Sequence, residues 1–369
     1  MIYLFVVILS VYVLTICWLI HGFAKIQPPK NQNLEPKTHF SIIVPFRNEA
    51  SNFLDLLNSI SNLEYPKKLF EIVVVNDDSD DDSVLIFNQW KSDNTAINTS
   101  LLQNIRLTQS PKKDAILTAI SQINTNWIIT TDADCVVNKN WLLWFDNCIQ
   151  NSDLEMIAGL VSIEKRAGFL NNFQFIDLLS LQGTTIGSFG IGQPFMCNGA
   201  NFAYTKTFFQ LLKGFDGNNE ITSGDDLFLL QKAVKLNPEK VKYLKTNDAI
   251  VLTKPETSWA KLFQQRVRWA SKTGAYDGFF GKYLAVLVLL MNLSMIIGFL
   301  ILPILIFTTI FLTKIIVDYI LLFKTNQLVN PKTYIFPVLS SLFYPIFCVL
   351  VAFYSLFGSF EWKKRRFNQ

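Results

Sequence analysis

Glu71-Ile72-Val73-Val74-Val75-Asn76-Asp77-Asp78-Ser79 is the stretch that decides the fold class. A short β-branched run that empties into polar residues reads as a strand whose carboxyl end opens on a loop. The pattern occurs twice more: Phe40 to Val44 leads into Pro45-Phe46-Arg47-Asn48-Glu49, and Trp127 to Thr131 leads into Asp132-Ala133-Asp134. Longer mixed segments separate the three runs. An α/β domain with parallel strands is therefore expected, its ligand site built from loops at the carboxyl ends. The loop after Val75 continues through Asp80, Asp81 and Asp82 to Ser83, crowding five carboxylates into six residues. Acids suit the positive end of a helix dipole, which accounts for Asp80 to Asp82 as a solvated helix start. A calcium loop is excluded by position: Ser83 stands where the sharp turn needs Gly, and Gln89 where a bidentate acid is needed.

The chain around this stretch has 369 residues, half of them hydrophobic and 14% aromatic, with a net charge of +4. That composition excludes a disordered chain, and the positive mean hydropathy points to a soluble domain sharing the chain with membrane segments. The basic run Lys363-Lys364-Arg365-Arg366 equals the whole charge surplus, so no nucleic-acid partner is expected. Cys17, Cys135, Cys148, Cys197 and Cys348 are scattered without a CxxC pair and read as free thiols.

Residues 1–22 read as an N-terminal transmembrane anchor, because Ile2 to Ile20 is apolar and uncharged over a length that crosses a bilayer core. No basic residue precedes the run and no small-residue cleavage site follows it, which argues against a signal peptide. Lys25, Lys30 and Lys37 lie after it and place the following residues in the cytoplasm. A Pro-containing linker (23–37) leads to the α/β domain (38–256), then an amphipathic interfacial region (257–281). C-terminal transmembrane helices, two or three, occupy 282–360, with a turn near Pro303, and a basic cytoplasmic tail occupies 361–369. Hydropathy counts three spans, whereas the terminal positive charges favour an even number.

Three places carry chemistry. Asp132 and Asp134, two residues apart at a strand end, can both reach a hard divalent cation on a diphosphate. Gly224-Asp225-Asp226-Leu227 opens a helix over Asp226 to Ala233, in which Asp225 reads as a cap and Asp226 as a general base. Gln265, Arg268 and Trp269 share one helical face and suit phosphate oxygens and a sugar ring. The same segment also reads as an interfacial helix, with Lys261, Arg266 and Lys272 interleaved among apolar residues. Gly187, Gly190 and Gly192 do not follow a strong strand and do not make a dinucleotide loop. With His21 and His39 the sole histidines, a histidine triad or zinc site is not expected.

In order, these pieces resemble a membrane-bound family 2 glycosyltransferase. The matching residues are Val44-Pro45-Phe46-Arg47-Asn48-Glu49, Val75-Asn76-Asp77-Asp78-Ser79, Lys112-Lys113-Asp114-Ala115, Thr131-Asp132-Ala133-Asp134, Cys197-Asn198-Gly199-Ala200-Asn201, Gly224-Asp225-Asp226-Leu227 and Gln265-Arg266-Val267-Arg268-Trp269. The resemblance implies a GT-A fold, a Rossmann-like mixed sheet that binds a nucleotide-diphospho-sugar, usually uridine-linked, and inverts the anomeric carbon in one displacement. It implies that Glu49 and Asp77 hold the base and ribose, with Lys112 near the nucleotide and Pro45 and Asp132 also among the residues that bind the nucleotide-sugar. Asp134, helped by Asp132, would ligate Mg or Mn, and Asp226 would take the acceptor's proton. Asp225, Gln265, Arg268 and Trp269 would serve the diphosphate and acceptor end. The second motif departs from the usual Asp-Asp-Gly-Ser by carrying Asn76 first and Asp78 in place of Gly, which bears on loop geometry and base preference.

The implied partners are a nucleotide-sugar donor, a lipid or glycan acceptor and the membrane, with room for a homo-oligomer. The first reading is a single transfer to a lipid acceptor at the cytoplasmic face of the cell membrane, in cell envelope biosynthesis. A processive polysaccharide synthase is the alternative that Gln-x-x-Arg-Trp favours. A nucleotide-sugar-binding scaffold or transporter subunit without turnover is the alternative of another class, against which the acids at 77, 134 and 226 speak.

Overall fold

A computed structural model describes residues 2–30, 34–218, 224–331, 337–357, 360–362 and 365–367, with side chains as far as residue 356. Lys363 and Lys364 of the basic tail lie outside the described residues. The first elements are α1 (Ile2–Lys25), β1 (Phe40–Phe46), α2 (Phe53–Ser61), β2 (Phe70–Asn76), α3 (Ser83–Asp93), β3 (Asn98–Gln103) and α4 (Pro111–Gln122). Next come β4 (Trp127–Thr130), β5 (Cys135–Val137), α5 (Trp141–Gln150), β6 (Met156–Gly159), β7 (Val161–Ile163) and α6 (Phe169–Gly190). They are followed by β8 (Phe202–Thr205), α7 (Lys206–Leu211), α8 (Asp225–Leu236), β9 (Val241–Leu244) and β10 (Val251–Thr253). Helices α9 (Trp259–Ala270), α10 (Phe279–Ile301), α11 (Ile304–Val329) and α12 (Val338–Phe357) precede a short hairpin of Phe360–Trp362 and Arg365–Phe367.

The chain divides into two compact units, one of Gln27–Ser162 with Met196–Lys254, the other of Met1–Ile26, Ile163–Phe195 and Pro255–Gln369. The first is the α/β unit. Its seven-stranded sheet has the order β3-β2-β1-β4-β8-β6-β9. The segment β3-β2-β1-β4 is parallel, β8 runs antiparallel to both β4 and β6, and β9 pairs parallel with β6. The mixed sheet expected from the sequence is thus present. Phe40 to Val44 are all inaccessible, which is why β1 reads as an unbroken apolar run rather than an alternating one. Ser41 is tolerated there because its hydroxyl donates to Glu71 Oε1 at 2.6 Å on the paired strand. The chain leaves β1 toward β2 and β3, then returns to β4 on the other side, so the order reverses between β1 and β4. Such a reversal opens a crevice at the carboxyl ends.

Among the described residues, the helical unit holds four helices long and apolar enough to cross a membrane: α1, α10, α11 and α12. Three of them follow the α/β unit, and the break between α10 and α11 falls at Pro303. Residues 163–195, read within the 38–256 domain, pack in this unit, where α6 lies against α1. Gly187 and Gly190 make that crossing close. A Cβ on Gly190 would sit 1.8 Å from the Gly22 carbonyl oxygen, and one on Gly187 2.5 Å from that of Leu19. The two charges that interrupt the apolar run of α11 neutralise each other, Lys314 Nζ donating to Asp318 Oδ2 at 2.7 Å, while Tyr12 OH donates to Asp318 Oδ1 at 2.7 Å. All five cysteines are thiols outside any disulfide.

Candidate active site

Loops after β1 and β2 are stitched together before any ligand is considered. Asn48 N–H donates to Ser79 Oγ, Glu49 N–H to Ser83 Oγ at 2.8 Å, Ala50 N–H to Asp81 Oδ2 at 2.9 Å, and Asp80 N–H returns a bond to Asn48 Oδ1. Arg47 Nη1 caps the carbonyls of Asp77 and Asp78. Asp80 to Asp82 are exposed and lead directly into α3, the solvated helix start read from the sequence, and one of them also joins the loops. Asp81 is a staple between loops; burial would raise its pKa, but Ser83 Oγ and the N–H groups of Ala50 and Ser83 hold its carboxyl below the usual range.

Asp78 answers the question raised by its motif. It has φ 54° and Asn48 has φ 53°, so the position where Gly is usual keeps the left-handed conformation that Gly would adopt freely. The loop geometry is retained at the expense of strain. Asp78→Gly is expected to raise stability by about 0.5 kcal/mol, relief of strain exceeding the added chain entropy; an unchanged or lowered urea midpoint would contradict the strain.

Asp77 is 5% exposed and its Oδ1 accepts from Asn104 Nδ2 at 2.7 Å and Arg106 Nη1 at 2.8 Å. Arg106 also lies 3.7 Å from Asp114, whose carboxylate collects Leu107 N–H, Thr108 N–H and Thr108 Oγ1. Sequence reading missed Arg106 because no motif contains it. Glu49 is nearly buried and its Oε2 accepts from Asn52 Nδ2 at 2.8 Å; Pro45 pairs with Val75 at the end of β1.

On the other side of β1, the turn after β4 carries Asp132 and Asp134, closed by Cys135 N–H donating to Asp132 O. Lys112, from the first turn of α4, donates to Asp132 Oδ1 at 2.6 Å and lies 3.7 Å from Asp225 Oδ2. Burial would lower the Lys112 pKa, but Asp132, Asp225 and Asp226 outweigh it and push it up, so the ammonium persists. Asp134 Oδ2 accepts from Thr253 Oγ1 of β10 at 3.2 Å. Burial, then Asp134 and Asp132, push the Cys135 thiol well up, which keeps it neutral and no nucleophile.

Helix α8 begins one residue earlier than expected, with Gly224 at φ 85° as its cap. Asp225 is therefore not the cap; it is buried and turned to Lys112. Asp226 Oδ2 accepts the Gly199 N–H at 2.7 Å and Oδ1 the Leu227 N–H at 2.7 Å. A side chain at Gly199 would be a tight fit: a Cβ would lie 3.1 Å from Asp225 Oδ2 and 3.3 Å from Lys112 Nζ, and these side-chain ends would have to give by a few tenths of an ångström. Thr130 Oγ1 holds the Gly199 carbonyl at 2.7 Å, tying this turn to the end of β4. Asn201 completes it, donating through Nδ2 to the carbonyls of Leu160 and Ala249 and accepting from Trp141 Nε1.

The α/β unit thus gathers Lys112, Asp132, Asp225, Asp226 and Gly199 from four chain segments. Among the described residues no group of three or more His, Cys, Asp or Glu is assembled as a metal site. Two oxygen donors two residues apart still suit Mg or Mn, which are bound by one or two carboxylates plus substrate phosphates.

The predicted Gln265, Arg268 and Trp269 lie on α9 in the helical unit. Gln265 Nε2 donates to Glu256 Oε1 at 2.9 Å. Arg266, read as one of the interfacial basic residues, is instead buried and donates through Nε to Asp177 Oδ2 of α6 at 2.6 Å. The sequence hid this because Asp177 is distant along the chain.

Comparison with known proteins supplies the family. A model described as glycosyltransferase like family 2 matches residues 36–272. Two poly-beta-1,6-N-acetyl-D-glucosamine synthases are among the relatives. That of Staphylococcus aureus (strain COL) is 25% identical over 64% of this chain and 55% of its own length. That of Staphylococcus epidermidis (strain ATCC 35984 / RP62A) is 24% identical over 70% and 62%. The chain thus spans less than two thirds of either relative. The solved mannosyltransferase PcManGT from Pyrobaculum calidifontis, in complex with GDP-Man and Mn2+, superposes with a TM-score of 0.62 at 15% identity, over 96% of this chain and 99% of that one. It shares the fold. With acids of the expected kinds at the strand ends and the family model covering most of its length, the chain belongs to the glycosyltransferase-like family 2.

Proposed function

We propose that the protein transfers a sugar from a nucleoside-diphosphate donor, uridine-linked, to a lipid or lipid-linked acceptor at the cytoplasmic face of the cell membrane, inverting the anomeric carbon. One observation carries the reading: Lys112 joins Asp132 of the strand-end pair to Asp225, beside Asp226. A donor-side acid and an acceptor-side acid therefore meet at one ammonium.

Asp226 accepts the acceptor hydroxyl's proton as the oxygen attacks. Each carboxylate oxygen offers two lone pairs, so the backbone N–H bonds orient the group without exhausting it. Glu49 and Asp77 are assigned to the base and ribose by the family pattern, Pro45 to the nucleotide-sugar site and Lys112 to the nucleotide's phosphates. Gln265, Arg268 and Trp269 are assigned to the diphosphate and the acceptor end by the motif they spell. Asp132 and Asp134 would hold Mg or Mn, which supplies charge neutralisation to the departing nucleoside diphosphate; the Mn2+ in the PcManGT complex supports this choice. Lys25, Lys30 and Lys37 after α1 support the cytoplasmic assignment.

Thermal unfolding of the purified protein against a panel of nucleotide-sugars, with and without Mn, tests the reading. A donor at 100 times its Kd adds about 2.7 kcal/mol. Stabilisation by a uridine-linked sugar is expected to need the metal and to be lost in Asp134→Asn. No donor raising the Tm would end the proposal. The names of the two staphylococcal relatives favour a second reading, processive polysaccharide synthesis. Product length with labelled donor separates the two: a single added sugar against a ladder.

A further inference from the structure

Helix α9 carries two arginines in Gln265-Arg266-Val267-Arg268-Trp269, and the family motif singles out the second. The structure gives the first a set of contacts that the motif does not announce. Arg266 is 7% exposed. Its Nε donates to Asp177 Oδ2 at 2.6 Å, its Nη1 to Gln265 Oε1, and its guanidinium carbon lies 4.2 Å from the centroid of the Trp269 ring. Gln265 passes the connection on through Nε2 to Glu256 Oε1 at 2.9 Å. The backbone of Glu256 is itself clamped by the Gln174 amide, which accepts from Glu256 N–H at 2.8 Å and donates to its carbonyl at 3.0 Å. Gln174 and Asp177 sit one turn apart on α6. Both ends of the network therefore rest on one helix.

We propose that Arg266 is a positioning residue that sets the Gln265 amide and the Trp269 ring for the acceptor, an inference that rests on the function proposed above. The chemistry requires an arginine. One planar group must give an N–H to a carboxylate, a second N–H to an amide oxygen, and a flat face to an indole. With Oε1 committed to Arg266 and Nε2 to Glu256, the amide of Gln265 cannot flip, so its remaining lone pair and N–H keep fixed directions. A lysine would keep the charge against Asp177 but lose the fork and the flat face.

The alternative is a clamp that merely holds α9 on α6. Buried ion pairs can be exchanged for apolar pairs of similar size with little loss of stability, and that separates the two roles. The double variant Asp177→Leu with Arg266→Met is expected to keep its Tm within a few degrees and its affinity for uridine diphosphate with Mn within about two-fold. Its kcat is expected to fall at least 10-fold. Acrylamide quenching of Trp269, isolated as the difference from the same protein carrying Trp269→Phe, should rise in parallel. Arg266→Lys, which keeps the charge beside Asp177, tests the same claim in a chain that folds, with a smaller fall in kcat and the same rise in quenching. Wild-type kcat and quenching in either folded variant would overturn the proposal. Should the quenching rise while even the unaltered protein transfers no sugar, the positioning of Trp269 stands and the proposed function fails.

Discussion

Replacing Asp226 with Asn is expected to leave the binding of uridine diphosphate with Mn within about two-fold of wild type and to lower kcat by about 10²–10⁴. The substitution nearly preserves shape, but it removes the proposed proton acceptor while leaving Asp132 and Lys112 in place. Asn can keep one bond through its carbonyl oxygen. The Gly199 N–H that now meets Oδ2 at 2.7 Å, or the Leu227 N–H that meets Oδ1 at 2.7 Å, must then face an NH2 group. Either loss is local to the start of α8, so the fold should survive. Asp226→Glu is the companion measurement: it restores a base one methylene too far out and should recover only part of the rate. Equal kcat in wild type and Asp226→Asn would remove the residue from the chemistry.

Replacing Asn201 with Ala is expected to destabilise the α/β unit by about 3–5 kcal/mol, read from urea unfolding. Asn201 is fully buried, and its loss strands the Ala249 carbonyl and the Trp141 indole N–H together and leaves the Leu160 carbonyl with the Val251 N–H alone. Each buried orphan costs about 1–3 kcal/mol, with water unable to enter a packed core. Gly159 bounds the other side, where a Cβ would come within 2.4 Å of the Asn201 amide nitrogen. Asn201→Asp should be no better than Ala, because the carboxylate would face two carbonyl oxygens and lose both donor bonds. A small shift for Ala together with a large one for Asp would mean that charge, rather than lost hydrogen bonds, governs the site. The turn also carries Gly199, so a folded Asn201 variant should show reduced transfer as well.

Much of this was readable along the chain, and the reason is locality. A β-branched run ending in polar residues is a property of consecutive residues, so β1, β2 and β4 and the acids at their ends could be located without knowing any neighbour. The left-handed demand at Asp78 was legible as a departure from a motif, although its resolution as strain rather than rearrangement required the loop: Arg47 holds the Asp78 carbonyl from outside. The helix start at Asp225 was misread by one residue because Gly224, not an acid, caps it. Arg106 and Asp177 escaped altogether. Neither belongs to a motif, and each matters only through a partner brought to it by folding.

Membrane character was likewise a matter of composition, since an uncharged apolar run of sufficient length announces itself. The placement of α6 was not. Residues 169–190 contain polar groups throughout, and their packing on α1 depends on Gly22, Gly187 and Gly190 coinciding at one crossing.

By itself, then, the amino-acid order determined the strand-and-helix alternation, the apolar helices and the kinds of side chain waiting at each strand end, because all are set by near neighbours. Only the tertiary structure decided which charges meet. Lys112 reaches Asp132 and Asp225 because strand order carries distant loops to one edge of the sheet, and Arg266 rather than Arg268 faces Asp177 because helix phase and packing choose between two arginines that the chain presents alike.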